Sequence, residues 1–102
     1  MKVQWTKFAL SSLYEIFKFY KTNVSVTIAV NIKNSILTST RQLETHPLSG
    51  AKEELLEDLE EDHRSLVRGN YKIIYKIQNS KVIITDIFDS RQSPDKIKRS
   101  KK

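Results

Sequence analysis

Cysteine is absent from the chain, which removes disulfides and thiolate metal sites from consideration. Histidine occurs only at His46 and His63, too few for a zinc site built from imidazoles. No apolar run approaches the roughly 20 residues of a membrane span, and no signal-peptide core follows Met1-Lys2-Val3-Gln4-Trp5, so a cytoplasmic protein is expected. Glycine and proline are scarce, with two of each in 102 residues, and Pro47 with Gly50, and then Gly69, are the clearest punctuation inside the chain. A chain of this length supports one domain with one modest core.

What the sequence has in excess is positive charge, +6 overall, distributed unevenly. Residues 1–51 hold six Lys/Arg against two Glu, residues 52–62 hold seven acids against one Lys, and residues 63–102 hold eleven Lys/Arg against three Asp. The basic C-terminal half is where nucleic acid or an acidic partner would be received. The plainer reading is that Lys72, Lys76 and Lys81 keep strands soluble and discourage edge pairing.

The turn signals organise that half. Gly69-Asn70 stands between Arg64–Arg68 and Tyr71–Ile77, and a two-residue loop with Gly first suits a primed hairpin turn. A second hairpin is expected at Asn79-Ser80, leading into Val82–Phe88. Pairing across the first loop sets Arg68 against Tyr71, Leu66 against Ile73 and Arg64 against Tyr75. Opposed residues share a face, so Arg64, Leu66, Arg68, Tyr71, Ile73, Tyr75 and Ile77 form the apolar face that covers the core. His63, Ser65, Val67, Lys72, Ile74 and Lys76 form the other, open face. Strict alternation through the second hairpin adds Val82, Ile84, Asp86 and Phe88 to the core face, and Ile83, Thr85 and Ile87 to the open one. Arg64 and Arg68 are expected at the rim or paired with Asp86.

Ahead of the hairpins, Val3 and Trp5 alternate with polar residues as in a short strand, and Thr6 can cap a helix. Ala9, Leu13, Ile16, Phe17 and Tyr20 then follow helical spacing from Lys7 to Lys21. Leu10, Tyr14 and Phe19 widen that stripe, either to meet a second helix or to present a greasy surface to a partner. Val24 to Ile32 alternates like a strand, yet Ala29, Ile32, Ile36, Thr40 and Leu43 recur at spacings of three and four. One helix ending at His46, before Pro47, accounts for the whole stretch. Pro47-Leu48-Ser49-Gly50 is a turn. The acids Glu53, Glu54, Glu57, Asp58, Glu60, Glu61 and Asp62 read as a solvated segment rather than as catalytic carboxylates.

These features are similar to the RelE/ParE superfamily of toxins from bacterial type II toxin-antitoxin modules. The residues that carry the resemblance are Trp5-Thr6, Pro47-Leu48-Ser49-Gly50, Arg64-Ser65-Leu66-Val67 with Gly69-Asn70-Tyr71-Lys72-Ile73-Ile74-Tyr75, and Asp89-Ser90-Arg91-Gln92-Ser93-Pro94. The expected fold is therefore α+β, in the order β-α-α-β-β-β. It has a short N-terminal strand, an antiparallel helix hairpin packed on one face of the sheet, and a three-stranded antiparallel meander. Residues 1–94 form the domain and 95–102 a basic flexible tail.

The resemblance implies a toxin that needs no cofactor or metal and that is silenced by a cognate antitoxin protein, for which Leu10, Tyr14 and Phe19 are the candidate contacts. It implies one of two targets. ParE-like members poison DNA gyrase, and here Lys72, Lys76 and Arg91 would meet the target. RelE-like members cut messenger RNA on the ribosome, and here His63, Lys72 and Arg91 would be the catalytic set. Such cleavage needs a base for the 2′-hydroxyl, cations for the phosphorane and an acid for the leaving oxygen. RelE-like sequences carry further Lys or Arg in the strand of Ser65 and a Tyr or His near the C-terminus; this chain has Ser65, and no Tyr or His after Tyr75. The ParE-like reading is accordingly preferred. A non-toxic RNA-binding domain is the third possibility, weakened by the lack of aromatic residues assigned to the open face.

Overall fold

A computed structural model describes residues 1–53 and 62–90. The N-terminal strand β1 (Lys2–Trp5) leads into helices α1 (Lys7–Asn23) and α2 (Val26–Arg41), the latter extended by a 3-10 turn, Gln42–Glu44. A two-residue strand, β2 (Ala51–Lys52), precedes β3 (Asp62–Arg68), β4 (Tyr71–Gln78) and β5 (Lys81–Asp89). The order across the sheet is β1-β5-β4-β3-β2. The meander is antiparallel as expected, but β1 joins β5 in parallel, so the five-stranded sheet is mixed.

Each helix starts where a hydroxyl can take up a free backbone N–H. Thr6 accepts from the N–H of Ala9, and Ser25 from that of Ile28. The contest between strand and helix after Val24 is settled for helix, because Ala29, Ile36, Thr40 and Leu43 all become buried at helical spacing. Local β-branched preference is worth only tenths of a kcal/mol per residue, and core burial outweighs it. The core joins Ala9 and Leu13 of α1 and Ile36 of α2 with Leu43, Tyr71, Ile73, Tyr75, Val82, Ile84 and Ile87, while Val3 and Trp5 pack at its margin.

Polar contacts fix the helices and the turn to the sheet. The Tyr71 hydroxyl donates to that of Tyr20 (2.9 Å), and Arg68 Nε donates to Ser35 Oγ (2.9 Å). Arg64 lies at the rim, bonded to Asp62 (3.2 Å) and to the carbonyl of Gly50 (2.9 Å). Asp86, expected as a partner for these arginines, instead accepts from Ser12 Oγ of α1 (2.9 Å) and from the N–H of Ile87 (2.8 Å).

The register across Gly69-Asn70 is the expected one, from Arg68 with Tyr71 to Asp62 with Ile77. Across the second hairpin, strict alternation fails. Tyr75 pairs with Ile84 but Ile74 pairs with Asp86, leaving Thr85 as an extra residue in β5. Beyond this bulge the faces exchange, so Ile87 enters the core and Phe88 lies opposite Lys72.

Candidate functional site

The face of the sheet turned away from the helices carries Lys72 and Lys76, two of the basic residues singled out from the sequence. Cross-strand pairing arranges it in rows: Val67, Lys72 and Phe88; Ser65 and Ile74; His63, Lys76 and Ile83. It is not the open surface expected. Ile74 is fully buried and His63 is 4% exposed, with Phe88 and Thr85 nearly as covered.

Lys72 has a defined partner. Its Nζ lies 2.7 Å from Oε2 of Glu53, whose side chain is 4% exposed against 25% for that of Lys72. Glu53 follows β2, and its own N–H donates to the carbonyl of His63 (2.9 Å), extending the β2–β3 ladder by one bond. The carboxylate is thus delivered to Lys72 from a strand end rather than from a solvated loop. In the sequence Glu53 opens a run of acids, and no local pattern sets it apart from the rest of that run. The acids at 54–61 lie outside the described residues, as do Arg91 and the basic tail.

Among the expected catalytic residues, Lys72 and His63 therefore share a face but stand two rows apart, His63 lying four residues along β3 from Val67, the partner of Lys72. The aliphatic part of this face is covered only in places: Ile74 and Phe88 are buried, while Val67 is 66% exposed. Nothing in the arrangement of the described residues converges donors on one point in the way that a phosphorane would require.

The outer side of the helix hairpin offers a second surface. Leu10, Tyr14 and Phe19 are all exposed, Tyr14 by 62%, so they do not serve to pack α1 on α2. At 100° per residue Leu10 and Tyr14 share a flank of α1, while Phe19 falls on the opposite flank. Val24, Val26 and Ile28, part of the run that alternates like a strand in the sequence, are exposed at the hairpin tip, and alternation alone does not mark them as a surface. The ring of Phe19 meets Tyr20 edge-on, and Lys33 lies 5.6 Å over Phe17.

A family description, the ParE toxin of the type II toxin-antitoxin system parDE, matches residues 3–94. The chain belongs to the ParE toxin family. Among solved structures, the toxin fold is similar to a chain titled "Chromosomal ParDE TA system from P. aeruginosa", at 19% identity and a TM-score of 0.72. That match covers 87% of this toxin and 95% of the other chain. Comparison with curated proteins finds no match. Among the described residues of the toxin, no helix is long and apolar enough to cross a membrane. No group of three or more His, Asp or Glu among them could hold a metal ion.

Proposed function

We propose that this type II toxin acts in the cytoplasm by binding and inhibiting DNA gyrase, and that a cognate antitoxin protein neutralises it. The observation that carries the binding mode over RNA cleavage is the engagement of Lys72 by buried Glu53. A lysine committed to an internal carboxylate is poorly placed to hold a scissile phosphate. The family match over residues 3–94 supports the toxin role. The exposed flank of Leu10 and Tyr14, with Phe19 across the helix, supports a partner of amphipathic character, because apolar side chains of this size are normally covered in a working complex.

The test is regulated expression in a bacterial host, with three readouts taken together. Gyrase inhibition predicts growth arrest with DNA breaks, an SOS response and intact messages, together with loss of supercoiling when purified toxin is added to purified gyrase. Messages truncated at translated codons, with supercoiling untouched, would instead establish a ribosome-dependent endoribonuclease. Co-expression of the neighbouring small reading frame should relieve the arrest, and Leu10→Glu with Tyr14→Glu should weaken that relief.

A further inference from the structure

Glu53 occupies the place on the sheet where an anionic ligand would meet Lys72. A carboxylate is costly to bury unless a cation and hydrogen bonds compensate it, and this one is buried with its Oε2 at 2.7 Å from Lys72 Nζ. Its backbone is fixed by the bond from Glu53 N–H to the carbonyl of His63. The acid thus reaches the lysine with little freedom left to lose, whereas a phosphate arriving from solution must give up its own hydration and its freedom of movement. The surrounding sequence would otherwise attract polyanions: Arg64, Arg68, Lys72, Lys76 and Lys81 face only Asp86 and Asp89 between residues 63 and 90.

We propose that Glu53 is a built-in competitor that excludes phosphodiester groups from Lys72, so that the basic strands of the toxin do not bind nucleic acid through this residue unless Glu53 is displaced. This inference does not depend on which target the toxin has. It separates two roles that net charge alone would merge, since one correctly placed acid can withdraw a lysine of a strongly basic chain from nucleic acid.

The experiment compares full-length wild type, E53Q and E53Q/K72M for binding of a fluorescein-labelled oligouridine across a salt series. Gln keeps the size of Glu but not its charge. E53Q should bind on the order of tenfold tighter at low salt. Its log-log salt slope should steepen by about 0.7, the counterion released by one additional single-strand phosphate contact. E53Q/K72M should return to the wild-type affinity and slope. In parallel, acylation of each lysine by a small amine-reactive ester is followed by peptide mass spectrometry. Lys72 should react several-fold more slowly than exposed Lys81 in wild type and should approach it in E53Q. Equal rates for Lys72 and Lys81 in wild type overturn the proposal, as does an E53Q protein that folds yet gains neither affinity nor slope. Should E53Q fail to fold, the wild-type rates decide: protection of Lys72 supports the proposal, and equality refutes it.

Discussion

Replacing Tyr75 by Phe tests how the turn at Pro47–Gly50 is held against the sheet. Tyr75 is fully buried; its hydroxyl donates to the carbonyl of Pro47 (2.8 Å) and accepts from the N–H of Gly50 (2.9 Å). Phe fills the same volume, so no cavity term enters, and the loss is that of two hydrogen bonds. Gly50 is buried and its N–H would have no water to turn to, whereas Pro47 is only half-buried and its carbonyl can be rehydrated. One unmatched buried donor costs about 1–3 kcal/mol. For a domain of this size each kcal/mol lowers Tm by about 4–8 °C.

The same substitution has a pH signature. Burial is the largest influence on the Tyr75 phenol and pushes its pKa up, against the opposing effects of the Gly50 hydrogen bond and of Arg64. Below the usual tyrosine pKa of about 10 both the folded and the unfolded protein keep the proton, and the advantage of wild type over Tyr75→Phe is constant. As pH rises through 10 the unfolded chain ionises first, binds fewer protons than the folded state, and is favoured. The phenylalanine protein has no such loss at this position, so the stability gap narrows with rising pH, while groups common to both proteins cancel. Urea unfolding of the pair at neutral pH and at several values above 9, followed by Trp5 fluorescence, measures both effects. A gap below about 0.5 kcal/mol at neutral pH, or one that widens above pH 10, refutes this role for the Tyr75 hydroxyl.

Gly50→Ala should cost at least as much, on the order of 3 kcal/mol, because an added Cβ would sit 2.7 Å from the Ser65 carbonyl as well as 2.6 Å from the Tyr75 hydroxyl. The Ser65 carbonyl is backbone, so Tyr75→Phe should not rescue the alanine variant in a thermal melt. Ser80→Gly should stabilise the fold by about 1 kcal/mol: Asn79 and Ser80 both adopt positive φ, 53° and 60°, and glycine is the residue preferred second in such a turn. A urea midpoint that falls instead would show that the Ser80 side chain contributes more than its strain. Removing Lys72 should be worse than removing Glu53, about 3–5 kcal/mol for Lys72→Met, since that change takes the cation from a buried ion pair and leaves the charge behind, while a quarter-exposed lysine can turn to water when Glu53→Gln frees it. Combining the two substitutions should restore part of the loss, and a double-mutant cycle without coupling would deny the pair any energetic role.

Much of this architecture was legible because its signals are local. Gly69-Asn70 set the register of β3 on β4 residue for residue, and Ala29, Ile32, Ile36, Thr40 and Leu43 outvoted a β-branched run in favour of helix. The second hairpin shows the limit of alternation. A single extra residue at Thr85 sends Ile87 inward and sets Phe88 beside Lys72, and no composition rule announces a bulge within an unbroken strand. The parallel seat of β1 on β5 was equally hidden, since Val3 and Trp5 show which face is buried but not which strand lies alongside. The site was the least legible part. Glu53 is one acid of seven in its segment, and its destiny is decided by the two ladder residues Ala51 and Lys52, a strand too short to leave a pattern.

This has a direct bearing on how loss of toxicity should be read. Lys72→Ala is the natural choice for asking whether the toxin cuts RNA, but it takes away the cation bonded to buried Glu53 and so destabilises the fold, and a toxin acting purely by binding would lose growth arrest as well. Glu53→Gln separates the cases, because it frees the lysine rather than deleting it. If Lys72 serves as a phosphate ligand in a nuclease, releasing it should raise message cleavage per folded molecule and hasten arrest. Under the gyrase-binding proposal, arrest should follow the amount of folded toxin alone, with supercoiling inhibition unchanged when protein levels are matched by immunoblot. Cleavage that appears or increases in the Glu53→Gln protein would therefore defeat the binding mechanism at the residue on which it most depends.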